Sequence, residues 1–175
     1  MTNHINNAPS TNRTSKSRKH RGAANVDMML AAGFMVGILV LTVLIYPRIS
    51  AAKNIGSFQV DEASIASATE RWKKARSNYT GVSISVLCAQ NILPKGGTIC
   101  GSTNTGANTN PFGGNWTVAA AKNPGLYTIT GTLPNDPNVI AELADAMAPI
   151  TRANCQSATS CSTIAVTATS LAMTH

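Results

Sequence analysis

The longest hydrophobic run of the chain covers residues 28–46, where Thr42 is the only polar residue. At a rise of about 1.5 Å per residue this run spans roughly 28 Å, close to the hydrocarbon thickness of a bilayer. The run therefore predicts a transmembrane helix. A secretory signal segment is the alternative, since the small residues at 50–52 offer a cleavage position.

Beyond residue 47 the apolar positions recur with the spacing of an amphipathic helix. Separations of three, four or seven residues give one apolar stripe, formed by Ile55, Phe58, Ile65, Ala68, Trp72 and Ala75. The charged residues here fall mostly off the stripe and predict a solvated face, formed by Asp61, Glu62, Glu70, Arg71, Lys73 and Arg76. The two stretches together predict one long helix of about fifty residues, apolar all round in its first half and amphipathic in its second.

Four residues weaken this predicted helix. Gly33, Gly37 and Gly56 each lower its intrinsic stability relative to alanine. Pro47 lacks the backbone N–H that a helix would use at that position, so the sequence predicts a kink or an interruption there.

The second half of the chain predicts short elements with turn-rich connections. Residues 82–93 suit a helix or a strand, and residues 94–115 are a loop rich in Gly, Asn and Thr. NWTVAAA and GLYTITG alternate as strands around the turn AKNPG, which predicts a hairpin. A short helix follows at residues 137–147, with Asn135 or Asp136 as N-cap, and residues 162–173 alternate as a final strand. One long helix that covers a small antiparallel sheet is an α+β arrangement.

The positive charges before the apolar run predict how the helix is oriented in the membrane. The chain has a net charge of +7, and five cations without an acid lie in its first 22 residues: Arg13, Lys16, Arg18, Lys19 and Arg21. Because 7 − 5 = 2, residues 23–175 carry a net charge of only +2. A basic segment before a membrane-length run stays on the cytoplasmic side. Nucleic-acid binding is the competing interpretation of a basic arm. The membrane-length run disfavours it, so no nucleic-acid partner is expected.

The four cysteines, Cys88, Cys100, Cys155 and Cys161, all follow the apolar run. They show no C-x-x-C spacing, and the histidines lie in the basic head and at the last position, so no metal site is predicted. The predicted orientation places them outside the cytoplasm, where disulfides persist. Three pairings are open, and the local pairs Cys88–Cys100 and Cys155–Cys161 are favoured.

The residues do not indicate an enzyme. Beyond the basic head the sequence has no histidine except His175, no phosphate-binding glycine loop and no visible base for its many Ser and Thr hydroxyls. We expect neither catalytic residues nor a cofactor.

The segment RKHRGAANVD, followed by the apolar run, resembles the start of a type IV prepilin. That family carries a basic leader that ends in Gly and is removed on the cytoplasmic face by a dedicated prepilin peptidase. The resemblance makes Gly22 the last residue of the leader and Ala23 the new, N-methylated terminus. It makes Asp27 the acid at the fifth mature position, where the family usually has Glu.

The later sequence resembles the type IVb pilins, which include subunits of thin conjugative, toxin-coregulated and bundle-forming pili. The likeness rests on the NPFGG turn before a strand, the strand ending in LP and the short helix after it. It implies the type IV pilin fold, a long N-terminal helix packed on a small antiparallel sheet. The chain would then divide into a leader at 1–22, a transmembrane and filament-core half-helix at 23–47, an amphipathic half-helix at 48–78 and a globular head at 79–175.

The resemblance implies a major pilin, polymerised through its apolar helix into a filament for adhesion, aggregation or conjugative mating. Its partners would be copies of itself, the peptidase, the inner-membrane assembly machinery and a host or recipient-cell surface. The precursor would reside in the bacterial inner membrane and the assembled subunit in an extracellular pilus. Asp27 would meet the terminal amine of an adjacent subunit and set the register, while Gly33, Gly37 and Pro47 would let part of the helix unwind.

Three other interpretations stay open. The chain could be a minor pilin or a secretion-system pseudopilin, which share the head of the sequence but not the role. It could be an uncleaved bitopic anchor for a binding domain. In that case Asp27 would be an N-cap of the membrane helix at the bilayer interface.

Overall fold

The computed structural model describes residues 23–74 and 76–175, except for the side chains of residues 23–27, 44 and 47. The predicted leader with Gly22 therefore lies outside the described residues, as do Ala75 and the side chains of Ala23 and Asp27. By its internal contacts the chain divides into two units, with the boundary between residues 45 and 46.

The first helix, α1, extends over Ala23–Lys73 and has 51 residues, in agreement with the predicted length. The helix continues through Pro47, so the interruption that the sequence offered as one alternative is wrong. A proline removes one hydrogen bond of a helix, and here the bonds on either side keep the backbone helical.

The second unit contains a four-stranded antiparallel sheet with the strand order β1-β2-β4-β3. Strands β1 (Trp116–Ala120) and β2 (Tyr127–Thr132) form the predicted hairpin, in register from Trp116–Gly131 to Ala120–Tyr127. Alternate residues of both strands are buried, as the period of two required. The α+β class predicted from the sequence is confirmed.

The single final strand predicted for residues 162–173 is wrong, because this stretch forms a hairpin. Strands β3 (Ile164–Val166) and β4 (Ser170–Thr174) are joined by a turn in which the Thr167 N–H donates to the Ser170 carbonyl at 2.9 Å. The turn has no Gly, Pro or Asn, so the alternation of small apolar residues and Thr continues through it and hides it.

The second half of α1 packs its apolar stripe on this sheet. Each described residue predicted for the stripe is buried, namely Ile55, Phe58, Ile65, Ala68 and Trp72. The Phe58 ring lies 4.3 Å from that of Trp116 and fills the space above Gly131, where a β-carbon would overlap it. Rings this close add packing energy beyond the apolar area they bury.

Two further helices complete the domain. Helix α2 (Ile84–Ala89) resolves the ambiguity at residues 82–93, and the Ser83 hydroxyl caps it by accepting from the Val86 N–H at 3.2 Å. Helix α3 (Ile140–Met147) follows a 3₁₀ turn at Pro137–Val139, so the predicted helix begins as a tighter turn. Asp136 stands at the N-cap position, but its side chain forms no capping hydrogen bond.

Buried Asn110 organises the loop that leads into β1. Its Oδ1 accepts from the N–H groups of Phe112 and Gly114, both at 2.9 Å. Its Nδ2 donates to the carbonyls of Asn115 at 3.3 Å and Thr132 at 2.7 Å. One amide side chain thus satisfies four backbone groups and fixes the NPFGG turn against the end of β2.

Candidate functional site

The first half of α1 exposes apolar side chains in every direction. All described side chains from residue 28 to residue 43 are exposed, among them Phe34 at 71% and Val43 at 70%. Leaving apolar surface exposed to water raises the free energy by on the order of 25 cal/mol per Å². A contiguous exposed apolar patch of this kind therefore marks a site of interaction with lipid or protein. By length and composition this helix could cross a membrane.

The single polar residue of the run, Thr42, is satisfied inside the helix. Its Oγ1 donates to the Ile38 carbonyl, four residues earlier, at 2.8 Å. Its polar group therefore needs no partner from outside, and the surface stays apolar all round.

Gly33 and Gly37 lie one turn apart on one side of this apolar surface. Apart from the adjoining residues and the helix's own backbone, no atom of the described residues comes within 4 Å of the place where a β-carbon would stand at either glycine. The backbone is thus accessible there, which lets another helix approach closely. Neither glycine interrupts α1.

Two disulfides stabilise the second unit. They join Cys88 to Cys100 and Cys155 to Cys161, the local pairs that the sequence favoured. The first bridge is buried and ties α2 to the loop after it. The second closes a short loop beside α3, where the Asp145 carboxylate accepts from the Ala158 N–H at 2.8 Å and the Ser157 hydroxyl at 3.1 Å.

Glu62 is an exception to the solvated face that the sequence predicts for the charged residues of α1. Only 2% of this side chain is exposed, and its Oε1 lies 2.8 Å from Nε2 of His175. Neither of these two atoms forms a well-aligned hydrogen bond with any described residue. A buried carboxylate is costly unless it is paired. The helical periodicity could have revealed this burial, since residue 62 falls between the stripe positions 58 and 65.

Two tyrosines pack next to the buried Glu62–His175 pair, on the side of His175. The Tyr127 ring stacks on the imidazole at 5.3 Å, and the Tyr79 ring lies 4.7 Å from that of Tyr127. The Tyr79 hydroxyl donates to the Glu70 carboxylate at 2.6 Å. Burial, assisted by the Glu70 carboxylate, raises the pKa of both phenols well above their usual range, so both stay neutral.

A groove of about 690 Å³ lies between α1 and residues 92–99, with Asp61 and Arg71 among its lining. Burial raises the pKa of the Asp61 carboxyl, and the nearby Trp116 indole partly offsets this. The Arg71 guanidinium donates to the Ile92 carbonyl at 3.1 Å and so holds the loop on the helix. Arg71 therefore has a structural role at this groove.

The described residues contain no group of three or more His, Cys, Asp or Glu side chains that could hold a metal ion. Comparison with protein-family models, curated proteins and solved structures found no match to this chain. The function is therefore argued from the apolar helix and the domain themselves.

Proposed function

We propose that the chain is a structural subunit, a major pilin, of a type IVb-like surface filament. The observation that carries the proposal is the exposed apolar surface of α1 at residues 28–43, with the Gly22 to Asp27 spacing directly before it. A plain membrane anchor needs the apolar run but gives no reason for that spacing.

In this proposal the same apolar surface contacts lipid before assembly and other subunits after it. Before assembly it meets lipid, with the basic residues 1–22 on the cytoplasmic side. After assembly it meets the equivalent helices of neighbouring subunits, which also removes it from water. A contact that repeats head to tail without closing generates a helical filament.

The processing step gives Asp27 its role in the proposal. Cleavage after Gly22 removes the leader and its five positive charges and creates an amine at Ala23. In a bundle of apolar helices both this cation and the Asp27 carboxylate need a charged partner. Pairing between adjacent subunits satisfies both groups, and wrong registers leave both unpaired.

The first test is the mass of the subunit taken from sheared surface material, with electron microscopy of the same sample. We expect thin filaments whose subunit begins at an N-methylated Ala23. A membrane protein that still begins at Met1 would instead favour the uncleaved bitopic anchor. A processed chain that is scarce in the filaments would favour a minor pilin or a pseudopilin.

Replacing Asp27 with alanine is expected to block assembly without blocking processing. The Asp27→Ala subunit should stay in the membrane in its cleaved form, with filaments reduced below detection in electron micrographs. Asp27→Glu is the matched control, because it keeps the carboxylate and should keep the filaments. Normal filaments in the alanine variant would remove the register role from Asp27.

A further inference from the structure

A hollow of about 400 Å³ lies between α1 and α3, within the second unit. Its described lining consists of Arg48 and Ala51 from α1, Glu142 from α3 and Val139 from the 3₁₀ turn before α3. The volume falls within the range of about 300–1,000 Å³ that is usual for small-molecule sites. Two side chains of opposite charge therefore border the same space from two different helices.

The two charges at this hollow do not neutralise each other. Both side chains are exposed, and within the part of the chain that the structure describes no ion pair involves Arg48 or Glu142. A simple anion in the hollow would be repelled by Glu142, and a simple cation would be repelled by Arg48. The charge pattern therefore suits a ligand that carries one charge of each sign.

The position of Arg48 along α1 indicates where such a ligand would come from. Arg48 comes two residues after Tyr46, the last residue of the membrane-length run, and α1 continues through both. The Tyr46 side chain is 71% exposed, and tyrosine is enriched at the level of the lipid head groups. With residues 28–46 in a bilayer, Arg48 and Ala51 lie in the first turns beyond the hydrocarbon. The zwitterions of that layer are phospholipid head groups.

The side chains at the hollow also distinguish between zwitterionic head groups. A guanidinium donates to phosphate oxygens through a planar set of N–H groups. A primary ammonium has three N–H donors for a carboxylate, whereas a quaternary ammonium has none and is bound by aromatic rings. None of the described residues that line the hollow is aromatic. The lining therefore favours an ethanolamine head group over a choline head group.

We propose that this hollow binds the head group of a phospholipid that carries a phosphate and a primary ammonium, a phosphatidylethanolamine. Arg48 donates to the phosphate, and the ammonium donates to Glu142. The bound lipid ties α3 to the membrane surface. The site requires residues 28–46 to lie in a bilayer and does not depend on filament formation, so it serves a pilin precursor and an uncleaved bitopic anchor alike.

The test is the retention of lipid by the full chain reconstituted in vesicles. The vesicles contain a phosphatidylethanolamine and a phosphatidylcholine with identical acyl chains in equal amounts. Native mass spectrometry after extraction in a mild detergent identifies the lipids that stay bound to the chain. We expect the ethanolamine lipid to be enriched about fivefold over the choline lipid, which corresponds to a favourable exposed ion pair.

Three variants separate the site from the general charge of the surface. Glu142→Gln keeps the shape of the side chain but removes the partner of the ammonium, so the ethanolamine preference should disappear. Arg48→Gln removes the partner of the phosphate and should lower the retention of both lipids. Lys53→Gln is the matched control, because Lys53 is an exposed cation of α1 outside the lining of the hollow, and it should behave as the wild type. All three side chains are exposed, so the fold should tolerate each change.

The proposal would be overturned if the wild type retained the two lipids in the proportion of the vesicles. An unchanged ethanolamine preference in Glu142→Gln would also overturn it. An equal loss of preference in Lys53→Gln would show that surface charge alone attracts the lipid, and failure of the full chain to insert into the vesicles would remove the site altogether. The absence of filaments from cells would contradict only the proposed function.

Discussion

A Leu39→Arg variant is expected to lose most of its membrane-embedded population. Leu39 lies near the middle of the apolar run and is 64% exposed, so the change removes no buried side chain from the domain that the structure describes. An arginine at the centre of a membrane helix raises the free energy of insertion by about 3 kcal/mol, roughly 100-fold in the equilibrium. The measurement is the fraction of chain that resists alkaline extraction from isolated membranes.

Val60→Arg is the matched control for this change. Val60 is also an exposed apolar residue of α1, at 67%, but it lies beyond the run, in the second unit. This variant should remain as membrane-bound as the wild type. Equal extraction of both variants would mean that residues 28–46 do not lie in the bilayer.

A Gly114→Ala variant is expected to destabilise the second unit by about 3 kcal/mol or more. A β-carbon at residue 114 would overlap the carbonyl oxygen of Thr132, a backbone atom that cannot swing aside. Relief requires a shift of the turn that Asn110 holds, where the Gly114 N–H donates to the Asn110 side chain. Urea unfolding followed by tryptophan fluorescence gives the change in free energy of unfolding.

Gly56→Ala is a control that is expected to change the free energy of unfolding in the opposite direction. Gly56 lies inside α1, and only the helix's own neighbouring residues come within 4 Å of a β-carbon position, so the added methyl meets no obstacle. Alanine should stabilise the helix by up to about 1 kcal/mol. Equal stabilities for the two variants would show that the approach of residue 114 to Thr132 is not maintained in solution.

Several elements could be predicted from the sequence because their signals are local. The apolar run gives the exposed half of α1, and the stripe at spacings of three, four and seven gives its buried face. The β1–β2 hairpin follows from alternation around a turn that contains Pro and Gly. Each of these patterns lies within a few turns of helix or one hairpin, so no knowledge of the rest of the fold is needed.

The β3–β4 hairpin and the capping of α3 were harder to predict for a physical reason. A turn made of Thr, Ala and Ser carries no residue whose backbone preference marks it, and β alternation runs through it. At α3 the 3₁₀ turn formed with Pro137 takes the place of a side-chain cap, so the Asp136 carboxylate forms no capping bond.

The sequence by itself determined the apolar length of α1, its buried stripe, the α+β class and the Gly22 to Asp27 spacing on which the proposed function rests. Only the tertiary structure decided that Glu62 lies against His175, because that partner is far from it along the sequence. It also decided that Asn110 binds Thr132 and that Gly114 must lack a side chain. Periodicity specifies which face of an element is buried, whereas the charge or atom that meets a given side chain depends on how distant segments pack.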